Sequence, residues 1–96
     1  MTEDEYIAAQ KASGLQVGDA VLITRTVEEG ENGWVNSWAD GMDRTVGQIG
    51  KIRFIHPGNI VVDFVDDWWN YPFFVLKKVN LSDKADAETF ANLMNV

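Results

Sequence analysis

Residues 47–65 read Gly47-Gln48-Ile49-Gly50-Lys51-Ile52-Arg53-Phe54-Ile55-His56-Pro57-Gly58-Asn59-Ile60-Val61-Val62-Asp63-Phe64-Val65. Two runs rich in β-branched and aromatic residues flank His56-Pro57-Gly58-Asn59, where Pro57 pre-sets one backbone dihedral and Gly58 supplies a positive one. The pattern predicts an antiparallel hairpin with strands over Gly47–His56 and Asn59–Val65. Alternation places Ile52 and Phe54 on one face of the first strand, with Ile49, Lys51, Arg53 and Ile55 on the other. In the second strand Ile60, Val62 and Phe64 oppose Val61, Asp63 and Val65. Asp66-Asp67 marks the next turn, because Asp hydrogen-bonds readily to its own nearby backbone.

Further strands are expected on either side, at Ala20–Val27 and from Trp69 or Asn70 to Val75, in the same β-branched and aromatic composition. Between the first strand and the hairpin runs a loop, residues 28–45, that contains Trp34, Val35, Trp38 and Met42. A loop of that length in a small domain is packed by its own side chains or functional. At the N-terminus Thr2 and Glu5 fit a capping box, Glu3, Asp4 and Glu5 suit the positive end of a helix dipole, and Lys11 with Gly14 marks a stop. The spacing predicts a short helix over Thr2–Ser13 with only a narrow apolar stripe, marginal unless that stripe packs on something. A second helix is expected from Ser82 or Asp83 to about Met94, with Phe90, Leu93 and Met94 on one face. That face must cover the sheet or a second copy of the chain, so a homodimer is one expectation.

The chain has 96 residues, with 15 Asp and Glu against 8 Lys and Arg, no Cys and one His. That length supports one modest core, so residues 1–14, 15–79 and 82–95 are read as helix, β unit and helix of a single domain. Without Cys there is no disulfide scaffold, thiolate metal site or cysteine nucleophile, and one His excludes a multi-histidine site within the chain; no metal and no cofactor are expected. A net charge of −7 argues against a nucleic-acid surface spread over the whole domain. No signal peptide and no run of the length a membrane span needs are evident, which points to a soluble, cytoplasmic protein.

A short first strand, a long loop, a tight hairpin and a last strand approached through Pro72 together predict a mainly β, α+β fold, a strongly bent antiparallel β-barrel flanked by the two helices. The succession Val17-Gly18-Asp19-x-Val21, Gly33-Trp34, Trp38, Met42-Asp43, Val46-Gly47-x-x-Gly50-x-Ile52, Ile60-x-Val62-x-Phe64, Trp68-Trp69, Pro72, Leu76 and Val79 resembles the SH3-like barrel repeats of the Mind bomb type of ubiquitin ligase. It is also similar to small barrels of phage and viral proteins. The resemblance covers residues 15–79 and rests on barrel-building Gly, Trp and Pro positions, so it speaks to fold more than to function. It implies an SH3-like barrel that binds protein segments; no zinc-bearing ligase module is present.

The aromatic residues are the unusual feature. Trp34, Trp38, Trp68, Trp69 and Tyr71 are expected to line a groove that receives an extended segment of another protein, by offering flat rings and indole N–H donors. The alternative is that they close the ends of a small core. Trp68 and Trp69 are adjacent, so in a strand they face opposite ways and only one can enter the core. The loop carries Glu28, Glu29, Glu31, Asp40 and Asp43 with no cation between Val27 and Arg44; Glu29, Glu31 and Asp43 beside the aromatics would favour a basic partner. Two other functions are open. One is an acidic, phage-type accessory protein that occupies a host enzyme or nucleic-acid-binding protein. The other is a single-strand nucleic-acid binder, since Lys51 and Arg53 share a strand face near aromatics. An enzyme is not expected: Asp63, Asp66 and Asp67 lack calcium-loop spacing, and His56 has no motif partner.

Overall fold

The structure, a computed structural model, describes residues 2–80; the expected C-terminal helix with Phe90, Leu93 and Met94 lies outside them. In chain order come helix α1 (Glu3–Ala12) and strands β1 (Ala20–Ile23), β2 (Ile49–His56), β3 (Asn59–Asp63), β4 (Trp68–Tyr71) and β5 (Leu76–Lys78). Short 3₁₀ turns occupy Glu31–Gly33, Asp40–Thr45 and Phe73–Val75. The strands form one antiparallel sheet in the order β4-β3-β2-β1-β5. This is a small α+β fold. The sheet does not close on itself: β4 and β5 are its two edges and are not bonded to each other. No helix among the described residues is long and apolar enough to cross a membrane.

The hairpin forms where expected, with His56 opposite Asn59 and Gly58 at φ +87°. Its first strand serves two neighbours, pairing through Ile49–Lys51 with β1 and through Lys51–His56 with β3. The register slips between Ile52 and Phe54, a bulge that absorbs one extra residue and bends the strand. Ile52 remains in the core, whereas Arg53 and Phe54 both turn outward. The expected sharing of a face by Ile52 and Phe54 fails for that reason. Close packing across the bend explains Gly50, where a Cβ would sit 2.5 Å from Val62 Cγ1 and 2.7 Å from the Asp63 carbonyl oxygen. That oxygen belongs to backbone and cannot swing aside, so Gly50→Ala is expected to cost about 1–3 kcal/mol by overpacking, read from the urea midpoint.

Two other expected strands are shorter than the pattern suggested. β1 stops at Ile23; Thr24 still donates its backbone N–H to the Val75 carbonyl at 2.9 Å in register with the β5 pairing, but Val75 already lies in a 3₁₀ turn. The last expected strand divides at the buried Pro72 into β4, a 3₁₀ turn and β5, and Pro lacks the N–H that a continuous ladder would need. Helix α1 is capped as the sequence implies, with Glu5 N–H donating to Thr2 Oγ1 and Thr2 N–H to Glu5 Oε1, both at 3.2 Å. Its narrow stripe suffices because it is pinned twice. Tyr6 meets Phe73 edge-on with centroids 5.2 Å apart, and Gln10 Nε2 donates to the His56 carbonyl at 2.8 Å.

The core gathers Val21, Ile23, Ile52, Ile60, Val62 and Val75 around Tyr71, with Trp34 and Met42 supplied by the long loop. Burial pushes the phenols of both tyrosines, Tyr6 and Tyr71, up from 10.0 to about 12. Each phenol ionises near 10.0 in the unfolded chain and about 12 in the folded one, so its contribution is complete below pH 10 and is lost as pH rises toward 12. Phenolate absorbance is therefore expected to stay low past pH 10 and to rise together with loss of the folded circular-dichroism signal. A tyrosine titrating at its ordinary value in the folded protein would contradict this burial.

Candidate functional site

Of the residues expected to form an aromatic and acidic groove, two are sealed in the core. Trp34 is 2 % exposed, and its indole N–H donates to Asn59 Oδ1 at 2.9 Å, tying the long loop to the hairpin turn. Tyr71 is 0 % exposed; its hydroxyl shares a 2.6 Å hydrogen bond with Thr45 Oγ1, which in turn donates to the Met42 carbonyl at 2.6 Å. Neither ring can meet a partner. Trp38 is half-buried edge-on against Tyr71, 5.8 Å between centroids, and its N–H donates to Asp43 Oδ1 at 2.6 Å. Trp69 is half-buried over Gly41, whose missing side chain makes room for the ring, and its N–H donates to Asp67 Oδ2 at 3.0 Å.

The carboxylates are similarly engaged. Arg25 grips Glu31 with both arms of its guanidinium, Nη1 to Oε1 at 3.1 Å and Nη2 to Oε2 at 2.6 Å, which holds the Glu31 carboxyl below its ordinary range. Arg44 pairs with Asp67, and that hydrogen bond keeps the Asp67 carboxyl low. Asp43 serves Trp38, while Glu29 stands exposed on the loop. The expected groove is thus not assembled from this set: Trp34 and Tyr71 are core, Trp38 and Trp69 pack against it, and two of the three acids are spent holding the loop in shape.

Trp68 behaves differently. It is 53 % exposed, and its indole N–H makes no bond among the described residues. It opens onto a shallow hollow of about 310 Å³ on the outer face of the sheet, lined also by Arg53, Phe54, His56, Val61 and Asn70. Phe54, likewise 53 % exposed, is there because of the bulge. The Arg53 guanidinium lies 5.6 Å over the Phe54 ring, and the His56 ring lies 6.0 Å from it on a 35° tilt. Arg53 also has Asp63 within 3.7 Å, but both groups are nearly half exposed and the pair is loose. The sequence pointed to Trp68 through its adjacency to Trp69. It pointed to Arg53 only for a nucleic-acid reading and to His56 only as a candidate without a motif partner, and it missed Phe54 because strict alternation turned that ring inward.

The hollow lies beside an open strand edge. Phe64 N–H donates to the Asp67 carbonyl at 2.8 Å, and the register carries this bonding on to the Val62–Trp69 and Ile60–Tyr71 pairs. The N–H and C=O groups of Trp68 and Asn70 therefore point away from β3, and no loop of the described residues bonds to them. The two edges of the sheet differ in kind. β5 is three residues long and carries Lys77 and Lys78, the usual guard against strand addition. β4, Trp68-Trp69-Asn70-Tyr71, has no charge at all. Charge is also segregated among the described residues: the five strands hold Lys51, Arg53, Lys77 and Lys78 against Asp63 alone, while the other described carboxylates lie in α1 and in the connecting segments. Among the described residues no three His, Asp or Glu lie close enough together to hold a metal ion. No protein-family model matches the chain, and no curated protein matches it in sequence.

Proposed function

We propose that the protein is a non-enzymatic interaction module that captures an extended segment of another protein by adding it as a further strand along β4. The observation that carries this reading is the pairing of an uncharged edge, with the Trp68 and Asn70 backbone groups unpartnered among the described residues, and an aromatic hollow immediately beside it. Main-chain bonds to an edge give affinity, and every second side chain of the added strand falls on the outer face, where Trp68 and Phe54 offer apolar surface. We read the sheet as an SH3-like barrel of the Mind bomb type left open between β4 and β5. The return of the last strand beside the first, and the one bent strand shared by both halves, support that reading.

Asn70→Pro tests strand addition without dismantling the sheet. Proline is tolerated on an edge strand where its missing N–H would face outward, which is the case at Asn70. Segments selected from a displayed library of random peptides are expected to bind the variant about tenfold or more weakly, since one main-chain bond is lost and its acceptor is left unpaired. The thermal midpoint is expected to stay near that of the parent protein. Unchanged binding to Asn70→Pro would exclude β4 as the docking edge.

A further inference from the structure

Resting on that reading of β4, we infer that the captured segment is acidic. A strand added at β4 presents alternate side chains to the outer face next to Trp68 and Asn70, from which a long acidic side chain would lean across Trp68 toward the polar rim of the hollow, Arg53 lying two strands inboard on β2. That rim consists of Arg53, His56 and Asn70, and Lys51 continues the same strand. Arg53 is stacked on Phe54 and so already ordered, and its loose partner Asp63 leaves guanidinium donors to spare from the five that arginine carries. A carboxylate arriving there gains a paired, partly desolvated cation with little rotamer entropy left to lose. A lysine or arginine arriving there meets like charge. Of the acids that favoured a basic partner in the sequence, Glu31 and Asp43 are bound to Arg25 and Trp38 and Glu29 alone stands exposed, so the loop offers a basic segment one unengaged carboxylate of the three.

The same basic and aromatic face could stack unpaired bases. The neutral β4 edge, with its outward N–H and C=O groups, favours a peptide, because a nucleic acid has no use for a strand ladder.

The test is selection of random displayed peptides on the full chain, followed by affinity measurements on synthetic copies and on single-stranded oligothymidylate. Selected peptides are expected to carry Asp or Glu at alternate positions, to lose at least tenfold in affinity against Arg53→Glu and less against Arg53→Gln, and to bind more weakly as salt rises. The circular-dichroism spectrum and thermal midpoint of each variant establish that it is folded. Selected sequences that are neutral or rich in Lys and Arg, yet still weakened by Asn70→Pro, would overturn the acidic preference and leave strand capture standing. Peptides indifferent to both Asn70→Pro and Trp68→Ala, or no peptide above background, would overturn strand capture and the acidic preference together. Oligothymidylate bound more tightly than any peptide would overturn the inference in favour of nucleic acid.

Discussion

Tyr71→Ala is expected to cost about 3–5 kcal/mol of folding free energy, the range for removing a large buried aromatic. Against a total of about 5–15 kcal/mol for a domain, that brings the protein close to unfolding at ambient temperature. The ring is fully enclosed and meets Trp38 and Phe64 edge-on at 5.8 and 6.2 Å, so its loss leaves a void shared by the loop and the sheet. Its hydroxyl is a second, separable contribution. Tyr71→Phe keeps the ring and removes only the bond to Thr45, and about 1 kcal/mol is expected from that. Urea denaturation of the pair measures both. Equal losses in the two variants would show that the phenol bond, and not the packing of the ring, holds the loop against β4.

Trp68→Ala is expected to act in the opposite sense, weakening capture of a selected peptide by about 2 kcal/mol or more, roughly thirtyfold, while stability changes by less than about 1 kcal/mol. The contrast follows from the way the four tryptophans divide. Trp34, Trp38 and Trp69 each donate an indole N–H to a side-chain oxygen of the protein itself, on Asn59, Asp43 and Asp67. Trp68 donates to none among the described residues and keeps half its surface in water. Phe54→Ala should weaken capture comparably, since its ring forms the other apolar wall and supports Arg53. Trp34→Ala serves as the control: it should unfold the domain before any binding can be assessed, at about 3–5 kcal/mol. Trp68→Ala that bound as tightly as the parent, or that unfolded like Trp34→Ala, would remove the outer hollow from the account.

The hairpin at His56–Asn59, the capping box at Thr2 and Glu5 and the antiparallel order of the central strands were legible from local chemistry, because Pro, Gly and capping residues act over a few positions. The face proposed for docking was only half legible. That one of Trp68 and Trp69 must look outward follows from the pleat, but which one does depends on how β4 registers against β3. The position of Phe54 depends on a one-residue bulge that no alternation rule anticipates. The engagement of the acidic loop was illegible for a related reason. A run of carboxylates reads as a free charged surface, while Glu31, Asp43 and, from the next turn, Asp67 find partners that are 5, 6 or 23 residues away in sequence. Trp34 and Tyr71 looked available because a small domain was expected to have more rings than room; the loop makes that room by folding over the sheet and becoming core.

Amide hydrogen exchange at Trp68 and Asn70 tests strand capture most directly. In the free protein these two amides point away from β3 and meet no partner among the described residues, so they should exchange rapidly, while their neighbour Trp69 is protected in the ladder to β3. With a selected peptide bound, both should become slow and the amides of residues 28–43 should be unaffected. Protection that appeared along the loop, with Trp68 and Asn70 still exchanging at their free rates, would contradict docking on β4.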